Sequence, residues 1–389
     1  MKRFGRIVVC FIATFGLWAG VELRAQVGNQ APASSVPTKQ AGAVTNNTVT
    51  NSTATNGAPV ATPNSTTPTS ATSSQFGEPV ATKGSQLGKL QTSRYQIGLT
   101  LQALGGPCVG LYGTAPVPID WPEQSVQVLK EEFTPTVQKI DYRMINGTVK
   151  QMLVYMPLVP PGVETKALVT LEIRRYSLLP PADTSMFVLP NDKKLPREMK
   201  QYLLPSPQIE STHTRIRAIA REIMTANADA NAWTKVEAIY DWVRSKVTYV
   251  NGPLKGALQS LQDGSGDCEE LSSLFIAICR AAGVPARIVW VPDHCYPEFY
   301  LEDGEGKGYW FPCQAAGTKE FGGITEHRPI LQKGDNFLVP ELPTKRQRYV
   351  AEYLTGKGGN PKVRFIRQLL ETVDAAPPGV LPAETKPVN

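Results

Sequence analysis

Cys268 follows Asp267 and precedes Glu269 and Glu270, at the end of a turn that contains Gly264 and Gly266. These residues fit the start of a helix. Asp267 can cap it by accepting from backbone N–H groups, and Glu270 completes a capping-box pattern. Cys268 then takes the first helical position. The partial positive charge of a helix N-terminus favours thiolate, the nucleophilic form of cysteine. Unpaired N–H groups there also suit the oxyanion of an acyl-transfer transition state. Gly264 and Gly266 let the chain turn sharply and let a substrate approach. Glu269 and Glu270 would oppose a thiolate if they faced it, and are expected to face solvent. The bland alternative is a buried structural cysteine. Cys279, on the apolar face of the same expected helix, fits that description better than Cys268, which precedes the face.

Such a thiol needs a base, and His294 is the candidate. In an extended strand His294, Tyr296, Glu298 and Tyr300 share one face, and Cys295, Phe299 and Leu301 share the other. A strand packed on the helix could carry the imidazole to the thiol. His213 falls on an expected helix and His327 in a late loop, where a solvated or satisfied histidine is the commoner case. The cysteines after the first 25 residues are Cys108, Cys268, Cys279, Cys295 and Cys313. Their odd number leaves at least one thiol free unless chains pair. Cys295 and Cys313 flank an expected hairpin and are the pair best placed for a disulfide; two free thiols are the open alternative. No CxxC or calcium-loop pattern occurs, so neither zinc nor calcium is expected.

Three expected helices and a meander of strands must position these groups. Ile216, Ile219, Ala220, Ile223 and Met224 recur at helical spacing. Trp233, Val236, Ile239, Tyr240 and Val243 mark a second helix. Leu271, Leu274, Phe275, Ile278, Cys279 and Ala282 mark the third, which Gly283 and Pro285 end. "RIVWV", "HCYPEFYL" and "YWFPC" then read as strands, with a turn over Glu302–Gly308.

The segment from Gly264 to Val289 resembles the nucleophile segment of transglutaminase-like thiol enzymes. In that family a Gly-x-Cys turn opens a helix whose ending matches Arg280, Gly283, Val284, Pro285, Ala286 and Arg287 here. "HCYPEFYL" resembles the family's His-Ala-Trp-x-Glu-x-Tyr strand, with Tyr296 in the place of Trp. "AIYDWVRSKVTYV" resembles the preceding helix. The likeness covers roughly residues 212 to 317. It implies a papain-like α+β core in which Cys268 is the nucleophile, His294 the base and no cofactor is needed. The family usually follows with Trp-x-x-x-Asp, and here Gln314 stands at the Asp position. Gln314 can fix the imidazole but brings no charge to stabilise imidazolium. Two readings follow. One is an exported enzyme that attacks amide or acyl groups through a Cys thioester, as peptidase, amidase or amine transferase, on a protein, peptide or wall-polymer substrate. The other is a non-catalytic binding or scaffold protein with an impaired triad.

The 389 residues allow two or three domains. The formal net charge is +6, and half of that excess lies in the first 25 residues, where Lys2, Arg3, Arg6 and Arg24 outnumber Glu22. No basic run with interleaved aromatics remains, so nucleic acid is not an expected partner. Residues 1–25 read as a signal peptide, with an apolar stretch Ile7–Gly20 too short to span comfortably. A secreted or periplasmic protein with no later membrane span is expected. Residues 26–92, rich in Thr, Ser, Ala, Asn and Pro, read as a flexible tether. Residues 93–205 read as an all-β sandwich or barrel preceding the core, with alternation through Tyr95, Ile97, Leu99 and Leu101 and an Asn146-Gly147 hairpin signal. The core is expected over 206–320 and a C-terminal extension over 321–373, with helices near Lys345–Leu354 and Pro361–Val373. Residues 374–389 read as a disordered tail.

Overall fold

The computed structural model describes residues 7–10 and 83–374. Most of the expected signal peptide, tether and tail lie outside the described residues. The strands are β1 (Ile7–Cys10), β2 (Gln86–Ala103), β3 (Cys108–Val117), β4 (Gln124–Phe133), β5 (Lys139–Ile145), β6 (Val149–Val159) and β7 (Glu164–Leu179). Helices α1 (Arg197–Lys200), α2 (Thr214–Ala226) and α3 (Ala232–Lys246) follow. Then come β8 (Thr248–Tyr249), α4 (Ala257–Asp263), β9 (Ser265–Gly266) and α5 (Cys268–Ala281). The chain continues as β10 (Ala286–Val291), β11 (His294–Glu302), β12 (Gly308–Gln314), β13 (Glu320–Phe321), β14 (Gln332–Lys333), β15 (Tyr353–Gly358) and β16 (Pro361–Asp374). The fold class is α+β, as expected.

Two antiparallel sheets form a sandwich, ordered β1-β15-β3-β6-β5 and β16-β2-β7-β4. Alternate residues of both sheets meet in one apolar core: Leu99 and Leu101, Met152 and Val154, Val169 and Leu171, with Leu354. The Asn146-Gly147 signal is realised between β5 and β6, both residues taking the positive φ that such a turn requires. Pairing begins earlier than Ser93, since β2 reaches back to Gln86.

The sandwich is not a purely N-terminal unit. The helices expected near Lys345–Leu354 and Pro361–Val373 do not form, and β15 and β16 occupy those stretches instead. The spacing of Ile366, Leu369 and Val373 imitates a helical stripe, yet Leu369 and Leu370 are exposed. What decides the conformation is the open edge of β2, which pairs with β16 from Pro361 to Asp374. Before β15, burial alternates with period two through Arg348, Val350, Glu352 and Leu354. Two of those four buried positions are charged, which hides the strand pattern from a hydropathy reading.

The core sheet runs β13-β12-β11-β10-β14, with α5 packed on it through Leu274, Phe275, Ile278 and Cys279 against Ile288, Phe299 and Phe311. A proline removes a ladder donor and in a sheet usually marks an edge or a bulge, but Pro297 marks neither here. β11 is the middle strand, and Pro297 pairs with Ile288. Tyr300 donates its N–H to the Pro285 carbonyl on the β10 side. By alternation the Pro297 nitrogen faces β12, where pairing starts only at Glu298. The β11–β12 ladder stops short of the proline.

Charged residues tie the sandwich to the core. Lys333 donates to Glu123 and to Glu298, both at 2.6 Å, and Arg287 donates to Glu298 at 2.9 Å, all four groups being buried. Each charge in the chain is compensated, the condition under which buried ions are tolerated.

Candidate active site

The site is built where the first turn of α5 meets the first residues of β11. The turn before Cys268 is anchored by β8 and the residue after it, where Thr248 and Val250 donate N–H groups to the Gly264 and Gly266 carbonyls. Asp267 caps α5, its carboxylate accepting from the Glu269 N–H at 2.8 Å. Glu270 closes the capping box, accepting from the Asp267 N–H at 3.1 Å. Such a cap stabilises a helix by about 1 kcal/mol. Gly266 is required here for a reason other than substrate approach: a Cβ would lie 2.4 Å from the Glu270 Cβ.

Glu269 and Glu270 do not face solvent as expected. Both are buried, because each has a partner the sequence does not announce. Glu270 also accepts from the Lys255 N–H at 2.9 Å, and such N–H bonds hold its carboxyl below the usual range against its burial. Glu269 meets Arg348 at 3.1 Å. Burial raises the Glu269 carboxyl, and Arg348 opposes the rise. Asp267 is pushed up to about 7 by burial, by its hydrogen bond with Glu270 and by the charge of Cys268.

Cys268 is 9% exposed. Its thiol is drawn down to about 4, first by a hydrogen bond from the Cys295 thiol, then by the hydrogen bond and charge of His294. The Cys295 backbone N–H adds a further bond, while burial works the other way. Burial would lower His294, but its hydrogen bond and Coulomb attraction to Cys268 raise it above its ordinary value. Each group thus favours the charged form of the other.

The structure brings all three site residues read from the sequence into one chain of contacts. Gln314 Oε1 lies 2.9 Å from His294 Nε2, leaving Nδ1 for Cys268. Two side chains of α3 fix the end of β12: Tyr240 Oη donates to the Gln314 carbonyl at 2.8 Å, and Arg244 donates to the same carbonyl at 3.1 Å. Tyr240 thus does more than fill the apolar stripe in which its sequence position places it. Glu298 does not touch the imidazole; Arg287 and Lys333 hold it. His213 caps α2 and His327 bonds the Lys89 carbonyl at 3.0 Å.

The disulfide expected between Cys295 and Cys313 is absent; both are free and buried. The register of β11 with β12 explains it. Phe299 faces Phe311 and Glu298 faces Pro312, so the same register carries Cys313 toward Pro297, not Cys295. A two-residue offset along a strand is about 7 Å, at the limit for bridging. Cys295 instead lies against α5, its thiol 3.9 Å from Ser272 Oγ and hydrogen-bonded to Cys268, a placement that its alternation onto the α5 side of the strand could have signalled.

A cavity of about 400 Å³ is bordered by Gln314 together with Thr318, Glu320, Thr325, Glu326 and Arg328. Arg328 holds the Glu326 carboxyl down to about 2 against the effect of burial.

Residues 217–315 match the sequence pattern of the transglutaminase-like superfamily. This stretch of the chain is a transglutaminase-like core. Among curated proteins none matches the chain. A solved structure of a candidate cysteine protease from Cytophaga hutchinsonii is similar, at 18% identity and a TM-score of 0.49 over 75% of this chain and 94% of that one. The periplasmic domain of TgpA from Pseudomonas aeruginosa is similar at 14% identity and a TM-score of 0.29, over 60% of this chain and 90% of that one. Among the described residues no helix is long and apolar enough to cross a membrane.

Proposed function

We propose that the protein is an exported cysteine enzyme that cleaves amide bonds of a peptide or peptide-bearing polymer through a thioester on Cys268. The observation that carries this reading is the contact chain from Cys268 through His294 to Gln314, with the thiol drawn down to about 4. The Cys268 sulfur attacks the carbonyl carbon, and the electron pair of the C=O bond moves onto oxygen. The Cys268 N–H, the first of α5 and without a helical acceptor, is available to that oxyanion. Collapse expels the amine, which takes the proton from His294 Nδ1, and a thioester remains. Neutral His294 then removes a proton from water, or from a second amine, as that nucleophile attacks the thioester. Cys268 leaves as thiolate and His294 is again protonated. Gln314 Oε1 accepts from Nε2–H throughout and keeps Nδ1 toward the sulfur.

Gln314 also favours the second reading, a binding protein, since it supplies no charge to the imidazolium. One experiment separates them. The full-length protein is incubated with a mixture of peptides, with and without a small primary amine, and both products and protein are weighed by mass spectrometry. The enzyme reading expects cleaved peptide, or amine-bearing peptide, that disappears in Cys268→Ser. Peptides unchanged by a protein that nonetheless retains them would support binding alone.

A further inference from the structure

Arg348 lies outside the segment that matches the superfamily, in the chain that crosses from the core to β15. Its guanidinium nevertheless spans the first turn of α5. Nε donates to Glu269 Oε2 at 3.1 Å. Nη2 donates to the Glu269 carbonyl at 3.1 Å and to Ser273 Oγ at 2.7 Å. Nη1 donates to the Pro207 carbonyl at 3.3 Å, and the group lies 5.4 Å from the Trp290 ring centre. Arg348 and Glu269 are 7% and 8% exposed. The carboxylate of Glu269 is in the residue next to Cys268, so its charge bears on a thiolate in a site nearly closed to water.

We propose that Arg348 is a positioning residue for Cys268: it fixes the first turn of the nucleophile helix and cancels the Glu269 charge that would otherwise oppose the thiolate. This rests on Cys268 being the nucleophile. The other groups that face the thiol are His294 and Cys295 from β11, Asp267 from the cap and Tyr249 from β8. Glu270 also bears on Glu269, and its own charge is held by N–H groups rather than by a cation. Arg348 is thus the cation that answers Glu269. A C-terminal segment that completes the sandwich thereby also conditions the thiol.

The test is the pH profile of Cys268 alkylation by iodoacetamide in the full-length protein, read on the Cys268 peptide by mass spectrometry. Arg348→Met should raise the midpoint by about one unit, the size of effect expected when a paired charge is unmasked nearby. Glu269→Gln should lower the midpoint, since Arg348 then stands uncompensated. The double variant should return to the wild-type midpoint. An unchanged midpoint in Arg348→Met, or a double variant shifted as far as that single variant, overturns the proposal. If Arg348→Met does not fold, Glu269→Gln decides alone: a lower midpoint supports the proposal, and an equal or higher one overturns it. A wild-type midpoint near 8.5 that His294→Ala leaves in place overturns the nucleophile reading, and the proposal with it.

Discussion

Cys268 and Cys279 lie on the same helix and are both buried, yet their thiols are driven in opposite directions. Burial among apolar groups pushes Cys279 well above its ordinary value, while Cys268 is drawn down to about 4. Burial acts upward on both, so burial does not distinguish them. The difference lies in what each thiol faces. In the middle of α5 the surroundings are Leu274, Phe275, Ile278 and the core sheet, and the charge of Arg280 does not offset the burial. At the first turn, Cys295, His294 and the Cys295 N–H converge on the sulfur. What sets Cys268 apart is its donors, and a few residues along the helix remove them.

The comparison breaks most sharply at His294. In His294→Ala, Cys268 alkylation at pH 6 should fall by about 100-fold as the thiol returns toward its unperturbed value. Cys279 labelling should not change. Peptide mass spectrometry over a time course measures both, and equal Cys268 rates with and without the imidazole would remove the basis of the contrast.

Activity, if His294 also supplies the leaving-group proton, should depend on pH with two limbs. The Cys268 value is depressed, so thiolate is present above about 4 and is lost as pH falls through that value. The His294 value is raised, so imidazolium persists above 6.5 and is lost as pH rises through the raised value. Turnover of a peptide substrate should rise through the first and fall through the second. A single rising limb near 8.5 would show an unperturbed thiol.

A smaller effect is expected at Cys295. Cys295→Ala removes the thiol donor and keeps the backbone N–H, so the Cys268 midpoint should rise by about one unit, or roughly tenfold in alkylation rate at acid pH. No change would mean that His294 alone sets the thiolate.

Gln314 should give the smallest shifts. Gln314→Glu places a carboxylate 2.9 Å from the ring in the same geometry and should raise the His294 midpoint, by about one unit, with faster Cys268 alkylation. Gln314→Ala frees the ring and should slow alkylation a few-fold. NMR titration of the His294 ring protons checks the first and kinetics the second. Identical behaviour of wild type and both variants would leave Gln314 as a strand terminus only.

Much of this site can be read from residue order because its logic is local. A capping box needs only Asp267 and Glu270 three positions apart, and it puts Cys268 at the first helical position whatever packs around it. The turn at Asn146-Gly147, the three apolar stripes and the alternation along β2 are likewise short-range patterns. His294 is the candidate base on residue type and strand alternation, whereas Gln314 rests on a resemblance, whose spacing carries the distance between strands that local rules do not. The same local reasoning fails where the partner is far along the chain. Glu269 looks like a solvent-facing carboxylate until Arg348 is placed beside it. Cys295 looks like half of a disulfide until the strand register sets it apart from Cys313. Residues 361–374 look helical until the edge of β2 offers them a full ladder of hydrogen bonds. Residue order is enough for the helix start that carries the thiol and for the succession of elements around it. Tertiary structure decided which charges are buried, which thiols are driven to which state, and where the C-terminal chain lies. Those depend on contacts between residues remote in sequence, and a buried charge or an open strand edge is stabilised by whatever packing brings to it.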